Sequence, residues 1–322
     1  MLRLGLLSTA RINREILRAT RATERIEVVG VASRDRDRAE AYAREHGIPN
    51  AHRAYESLLA DPGVDAVYVP LPNGLHHEWT LRALAAGKHV LCEKPYSRHP
   101  ADVEEAFDLA ERAGLVLTEA FMYRHHPQTR FAHDLVAGGA VGRLLAIRAS
   151  FTFRLERPGD VRWRPELDGG SLMDVGCYCV SGSRLLAGEP TAVQGEQVLA
   201  PSGVDVAFHG TLRFADGVVG QIDASFAAPE FQRLEAVGDE ATLVVEAPWR
   251  PDWGGSLVVR RRDAVERLDR PEGDMFRLEL ESFADAVAGE APALLGREDA
   301  LGQARAIDAL YRAAETGVSV EL

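Results

Sequence analysis

The sequence predicts an α/β chain in two parts: an N-terminal doubly wound parallel sheet, then a C-terminal α+β domain with a large, mostly antiparallel open sheet. Three observations predict it. Up to residue 121, continuous apolar strands alternate with helices, the pattern of a parallel sheet covered on both faces. Beyond that point many runs alternate with period two, as in Val218-Val219-Gly220-Gln221-Ile222-Asp223-Ala224. The length of 322 residues suits two domains at roughly 150 residues each. The expected division is 1–121 and 122–322.

Leu2–Leu7 is an apolar strand ending at Ser8-Thr9-Ala10, and Ile12–Thr20 reads as a helix. Ile26–Ser33 is rich in β-branched residues. Arg36–His46 is an Ala/Arg/Glu helix closed by Gly47, a natural C-cap. Val64–Val69 is a strand broken by Pro70-Leu71-Pro72-Asn73. His76–Ala86 is helical, His89–Cys92 is a short strand, Ala101–Ala113 is a helix capped by Gly114, and Val116–Ala120 is another strand.

In the second part a helix at Gln128–Ala137 leads to strands at Leu144–Phe153, Ala192–Leu199, Val204–Phe214, Val218–Phe226, Arg233–Gly238, Thr242–Glu246 and Ser256–Arg262. Asp216-Gly217 between two of them signals a hairpin. Helices at Gly170–Ala187, Phe276–Ala288 and Arg297–Thr316 are expected to cover one face of this sheet of six or so strands. The other face would serve a homodimer or homotetramer. Glu156–Gly170 and Pro248–Gly255 read as irregular loops.

Composition narrows the function. Hydrophobic residues make up 46% and charged residues 27%, which excludes wholesale disorder. A net charge of −12 argues against nucleic acid and anionic membranes as partners, since both need a cationic face. No uncharged apolar run approaches the roughly 18 residues of a membrane span, and no signal peptide is expected at the N-terminus. Cys92, Cys177 and Cys179 make no disulfide framework, so a reduced, cytoplasmic setting is expected. Only two lysines occur, Lys88 and Lys94; every other basic side chain is arginine. Lysine can shift its pKa and move protons where arginine cannot, so both positions bear inspection.

The end of the first strand suits a dinucleotide. Ligands of open parallel sheets bind at the carboxyl ends of the strands. Ser8 and Ala10 stand where a glycine-rich turn would have glycines, and both are small enough for close backbone approach. Thr9 adds a hydroxyl, and the helix start at Arg11-Ile12 offers free N–H groups and a positive dipole to pyrophosphate. The second strand ends in Ser33-Arg34, with Arg36 and Arg38 nearby, in place of the acidic residue that holds an unphosphorylated ribose. A hydroxyl with guanidinium groups suits a 2′-phosphate, so NADP(H) is expected over NAD(H).

Two further segments resemble a known family. Ala86-Gly87-Lys88-His89-Val90-Leu91-Cys92-Glu93-Lys94-Pro95 resembles the Glu-Lys-Pro strand end of the Gfo/Idh/MocA oxidoreductases. Gly169-Gly170-Ser171-Leu172-Met173-Asp174-Val175-Gly176-Cys177-Tyr178 resembles their second signature. With Leu71-Pro72-Asn73 and His76, the resemblance spans essentially the whole chain. It implies a Rossmann domain for NADP(H) at 1–121 and a substrate and oligomerisation domain at 122–322. Tyr178, where many members have His, is similar to the branch of glucose–fructose oxidoreductase and the dimeric dihydrodiol (D-xylose 1-) dehydrogenases.

The resemblance places Lys94 beside the nicotinamide and the reacting carbinol. There an ammonium would polarise the hydroxyl and stabilise a developing alkoxide. It would also favour the phenolate of Tyr178, which would take the carbinol proton as hydride leaves. Asp174 and Tyr178, four apart, would share one face of a helix, with Asp174 orienting substrate hydroxyls or Lys94, or else capping a helix or forming an ion pair. Glu93, Leu71, Pro72, Asn73 and His76 would contact the cofactor, His76 at the nicotinamide ribose. Trp163 and Arg164 resemble a segment that reaches the nicotinamide side, and Tyr123 and Arg124 would line the substrate pocket. Whether the bond before Pro95 is cis is open.

Other readings are weaker. Lys88 follows a helix-capping glycine and reads as structural. Cys177-x-Cys179 lacks a second ligand pair at zinc spacing, so no metal is expected. Arg260-Arg261-Arg262 reads as a charged edge strand. The expectation is an NADP(H)-dependent oxidoreductase acting on a CH–OH group of a sugar-like substrate: an aldose 1-dehydrogenase or a trans-dihydrodiol dehydrogenase. The alternatives are a ketoreductase on a nucleotide-linked deoxysugar and an NADP-binding sensor without turnover.

Overall fold

The computed structural model describes all residues, Met1–Leu322. The chain forms two compact units, Met1–His125 with Asp274–Leu301 and His126–Gly273 with Gly302–Leu322. The sequence suggested one crossing, at 121/122; the chain passes between the units after His125, Gly273 and Leu301.

The first unit begins with β1 (Leu2–Leu6), α1 (Asn13–Thr20), β2 (Ile26–Ala32), α2 (Arg36–His46), β3 (Asn50–His52), α3 (Tyr55–Leu59), β4 (Ala66–Val69), α4 (His76–Ala85), β5 (His89–Cys92), α5 (Pro100–Ala113) and β6 (Leu117–Glu119). The strands run parallel in the order β3-β2-β1-β4-β5-β6. That order reverses direction at β1, which places a switch point where β1 and β4 end. β4 is Ala-Val-Tyr-Val and wholly buried, as a central strand covered on both faces should be. Local signals set the helix ends. Asp35 caps α2 by accepting from the Arg38 amide at 3.1 Å, and Gly47 closes it at φ 70°. Exposed Asn50 and Ala51 carry no apolar pattern, so β3 gives no signal in the sequence.

The second unit contains α6 (Pro127–Ala137), β7 (Leu144–Thr152), a π-helical turn over Leu172–Gly176, α7 (Cys177–Ala187), β8 (Ala192–Leu199), β9 (Asp205–Arg213), β10 (Val219–Ser225), β11 (Phe231–Gly238), β12 (Thr242–Glu246), β13 (Leu257–Arg261) and β14 (Ala264–Leu268). The chain then returns to the first unit as α8 (Met275–Val287), passes through α9 (Arg297–Thr316) and ends in β15 (Val320–Glu321). Nine strands form one sheet in the order β14-β13-β12-β11-β7-β10-β9-β8-β15, antiparallel except between β7 and β10. The sheet exceeds the expected six or so strands partly because β14 is solvated on both sides and β15 spans two residues. Asp216 (φ 58°) and Gly217 (φ 77°) turn the β9–β10 hairpin in left-handed geometry.

One face of this sheet packs on α7 and the later part of α9. Gly182 of α7 lets the Trp249 ring approach; a Cβ there would lie 2.5 Å from it. Ala304, Ile307, Leu310 and Tyr311 of α9 are buried. The expectation that Phe276–Ala288 covers the sheet is corrected. α8 buries Phe276, Leu280 and Phe283 in the first unit, where it packs on α1 and β2, and Arg18 pairs with Asp274 at its N-cap. Its apolar stripe shows that it is buried but not against what. No helix is long and apolar enough to cross a membrane.

Candidate active site

The turn after β1 is built without the usual glycines. Ser8 Oγ accepts from the Ala10 amide at 3.1 Å and donates to the Pro70 carbonyl at 3.4 Å. Fully buried Asn13, the first residue of α1, donates to the Ser8 carbonyl at 2.7 Å. Side-chain hydrogen bonds thus shape a turn that glycines would shape by conformational freedom. Ser8, Thr9, Ala10 and Ile12 stay half-exposed, and the Arg11 and Ile12 amides have no partner in the chain. Small residues and open amides ahead of a helix fit a pyrophosphate.

At the end of β2, Ser33 is buried and its Oγ accepts from the Asp35 amide at 3.2 Å. Asp35 itself is occupied as the α2 cap. Arg36 pairs with Glu40 at 2.6 Å. Arg34 and Arg38 are exposed without a carboxylate partner, and both lower the Tyr55 hydroxyl pKa against the larger opposing effect of burial. Two exposed guanidinium groups, one of them hydrogen-bonded to the Tyr55 hydroxyl, fit a phosphate on the ribose beside a serine.

β5 ends at Cys92 and is followed by Glu93, half-buried Lys94 and a cis bond to Pro95. Glu93 accepts from the Tyr68 hydroxyl of β4 and, at 3.2 Å, from the Lys94 amide. Its carboxylate therefore holds the strand end. The expectation for His76 is corrected. It is fully buried, with Nδ1 3.0 Å from the Pro95 carbonyl and Nε2 2.8 Å from the Leu71 carbonyl. Neither nitrogen is left for a ribose. Burial pushes the imidazole pKa down, the two carbonyls pull it up, and the Lys94 ammonium adds to the downward push. Leu71 is buried, while Pro72 and Asn73 lie half-exposed at the start of a short 3-10 turn.

Tyr123 and Arg124 follow β6 in a short 3-10 turn. Tyr123 is buried edge-on to Phe121, and Arg124 pairs with Asp299 at 3.3 Å. Lys88 is structural as expected. Its Nζ donates to the Asp61 and Val64 carbonyls at 2.8 and 2.7 Å, and burial lowers its pKa.

In the second unit, the π-helical turn carries Asp174 and leads into α7, where Tyr178 is the second residue. The α-helical spacing argument therefore does not apply between Asp174 and Tyr178: the wider turn alters their relative direction. The Tyr178 ring is 5% exposed and lies between Phe151 and Trp249, with centroids at 5.6 and 6.0 Å. Asp174 accepts from Arg162 Nε at 2.7 Å, so the ion-pair reading holds. That charge raises the Arg162 pKa still further.

Asp205 of β9 anchors the start of the turn. It accepts from Ser171 Oγ and the Leu172 amide, each at 2.7 Å, and from the Tyr311 hydroxyl at 2.9 Å. Gly170, at φ 119°, lies against it; a Cβ there would be 2.1 Å from the carboxylate. The Arg164 carbonyl accepts from the Gly169 amide at 3.1 Å, while the Trp163 and Arg164 side chains have partners outside the turn. The indole donates to the Arg157 carbonyl at 3.0 Å and packs on Phe226, and exposed Arg164 pairs with Glu166. Cys177 and Cys179 are buried thiols directed at the Asp174 and Asp223 carbonyls.

Sequence reasoning missed Asn13, Tyr68, Arg162 and Asp205. Asn13 and Arg162 each sit beside a quoted motif, in the first turn of a helix and two residues after an acidic cap. Tyr68 and Asp205 act from strands distant in sequence and gave no local signal.

Comparison with known proteins identifies the family. Residues 2–121 match the oxidoreductase family with an NAD-binding Rossmann fold, and residues 129–244 match the Gfo/Idh/MocA C-terminal domain. D-xylose 1-dehydrogenase (NADP(+)) 2 of Haloferax volcanii is 42% identical over 99% of each chain. A 3-ketoreductase from Actinomadura kijaniata, solved with NADP and TDP-benzene, aligns with TM-score 0.92 and 34% identity over 97% of each chain. An aldose–aldose oxidoreductase from Caulobacter crescentus, complexed with glycerol, aligns with TM-score 0.92 and 26% identity, covering 100% of this chain and 99% of its own. Fold, signature segments and full-length identity converge: the chain belongs to the Gfo/Idh/MocA family of oxidoreductases.

Proposed function

We propose that the chain is an NADP(H)-dependent aldose 1-dehydrogenase of the D-xylose or D-glucose type. One observation carries the reading furthest. Tyr178, buried with ring contacts to Phe151 and Trp249 on the signature helix, is a held phenol able to carry a proton. The xylose dehydrogenase at 42% identity supports the substrate class and the cofactor.

The cofactor, when bound, accepts or returns the hydride. The chain's residues do the rest. Ser8, Thr9, Ala10 and the Arg11 and Ile12 amides hold the pyrophosphate, and Ser33, Arg34 and Arg38 hold the 2′-phosphate. Tyr178 takes the proton from the carbinol oxygen during oxidation and returns it during reduction. Lys94, set by the Glu93 and His76 contacts behind it, stabilises the alkoxide. Pro72 and Asn73 would contact the cofactor.

The 3-ketoreductase similarity favours a second reading, reduction of a nucleotide-linked deoxysugar. Fluorescence titration with NADPH and NADH, then NADP+-dependent turnover across aldoses, polyols and dihydrodiols, separates the two. Turnover of an aldose supports the first. Tight NADPH binding with turnover only of a nucleotide-linked sugar replaces it with the second.

A homodimer or homotetramer through the open sheet face belongs to the same reading. That face carries polar cross-strand pairs, including His209–Asp223 at 2.8 Å and Arg148–Glu235 at 3.2 Å. Light scattering that gives a 35.1 kDa monomer at working concentrations would remove it. A reduced setting suits the three buried free thiols.

A further inference from the structure

Arg162 lies in the 3-10 turn Val161–Trp163, just ahead of the signature glycines. Asp160 caps that turn, accepting from the Arg162 amide and from its Nη1, both at 3.1 Å. Asp174 accepts from Nε at 2.7 Å. The Arg162 carbonyl accepts from the Gly170 amide at 3.0 Å, which ties its backbone to the signature. Two carboxylates thus fix the guanidinium plane from two sides. The third side is open: Nη2 has no partner in the chain, and the side chain retains 40% exposure.

A guanidinium already ordered by its own protein loses little freedom when it binds a ligand. The charge balance selects the ligand. Arg162 with Asp160 and Asp174 carries one net negative charge, which disfavours a phosphate and suits neutral oxygen atoms. We propose that Arg162 is a specificity-determining residue whose Nη2 donates to hydroxyl oxygens of the sugar, away from the carbon oxidised. The assignment rests on the aldose reading.

The test compares wild type, Arg162→Ala and Arg162→Lys at saturating NADP+. KM and kcat are measured for the aldose turned over and for its monodeoxy analogues, with NADPH affinity by fluorescence and the melting temperature as controls. Arg162→Ala is expected to raise the aldose KM by about tenfold to a hundredfold, the scale of a lost charge-assisted hydrogen bond, with NADPH affinity kept within about twofold. One deoxy analogue, poor for wild type, should match its parent in the variant. Arg162→Lys keeps the charge but not the fork; it should lose the same discrimination and decides the matter if Arg162→Ala does not fold. Variants with wild-type KM and undiminished discrimination overturn the assignment alone. A wild-type enzyme that turns over no aldose overturns the aldose reading and this assignment with it.

Discussion

Nδ1 of His76 lies 3.0 Å from the carbonyl oxygen of Pro95, in an imidazole with no exposed surface. Its Nε2 meets the Leu71 carbonyl at 2.8 Å, so one ring ties the segment after β4 to the turn that follows Lys94. A neutral imidazole has a single N–H and donates to one of the two carbonyls at a time.

This linkage makes stability depend on pH. Burial holds the folded-state pKa of His76 below its ordinary 6.5. The unfolded chain therefore binds a proton that the folded chain refuses. Stability is complete above about pH 6.5 and falls as the pH drops below it, by at most about 1.4 kcal/mol per pH unit for one group. His89, also depressed mainly by burial, adds the same sign. Chemical denaturation from pH 8 to pH 5 should show the decline, and His76→Gln should be less stable overall with a shallower acid slope. Parallel curves for the two proteins would show that His76 is not the group titrating.

Arg34 and Arg38 carry the cofactor preference. The double variant Arg34→Ala/Arg38→Ala should weaken NADPH binding by at least about tenfold, the loss expected for charge-assisted contacts to a phosphate, while NADH changes little. Equal weakening of both would refute the 2′-phosphate assignment.

Asp205 receives donors only, from Ser171, Leu172 and Tyr311. Asp205→Asn keeps the shape but turns an amide group toward one of them. The expected cost is about 1–3 kcal/mol of folding stability, with kcat reduced through the displaced signature turn and NADPH affinity kept. Unchanged stability would mean that the network does not hold the turn.

Lys94→Ala should lower kcat by at least about a hundredfold with NADPH binding kept, the scale of a lost electrostatic contact to a developing alkoxide. A rise in KM alone, with kcat intact, would reduce Lys94 to a binding contact.

Much of the molecule was legible in the sequence because its signals are local. The apolar run of β4, the Gly47 and Gly114 caps and the Asp216-Gly217 hairpin each act within a few residues. The family was legible at the quoted segments for the same reason. What misled was tertiary. His76 looked like a ligand contact until its two carbonyl partners, five and nineteen residues away, came into view. The Asp174–Tyr178 spacing assumed an α-helix where the chain makes a π turn. The Arg162 side chain, not that of Arg164, pairs with Asp174 of the signature, and capping by Asp160 holds it there. The amphipathic stripe of α8 does not state which unit buries it.

The central claim is that a phenol held at the signature helix moves the carbinol proton. It is tested most directly by the NADP+-dependent oxidation rate of D-xylose in wild type and Tyr178→Phe, with NADPH affinity measured alongside. The account predicts a fall in kcat of at least about a hundredfold, the usual scale for lost acid–base help, with NADPH affinity unchanged. A Tyr178→Phe enzyme that turns over D-xylose at near wild-type rate would contradict it.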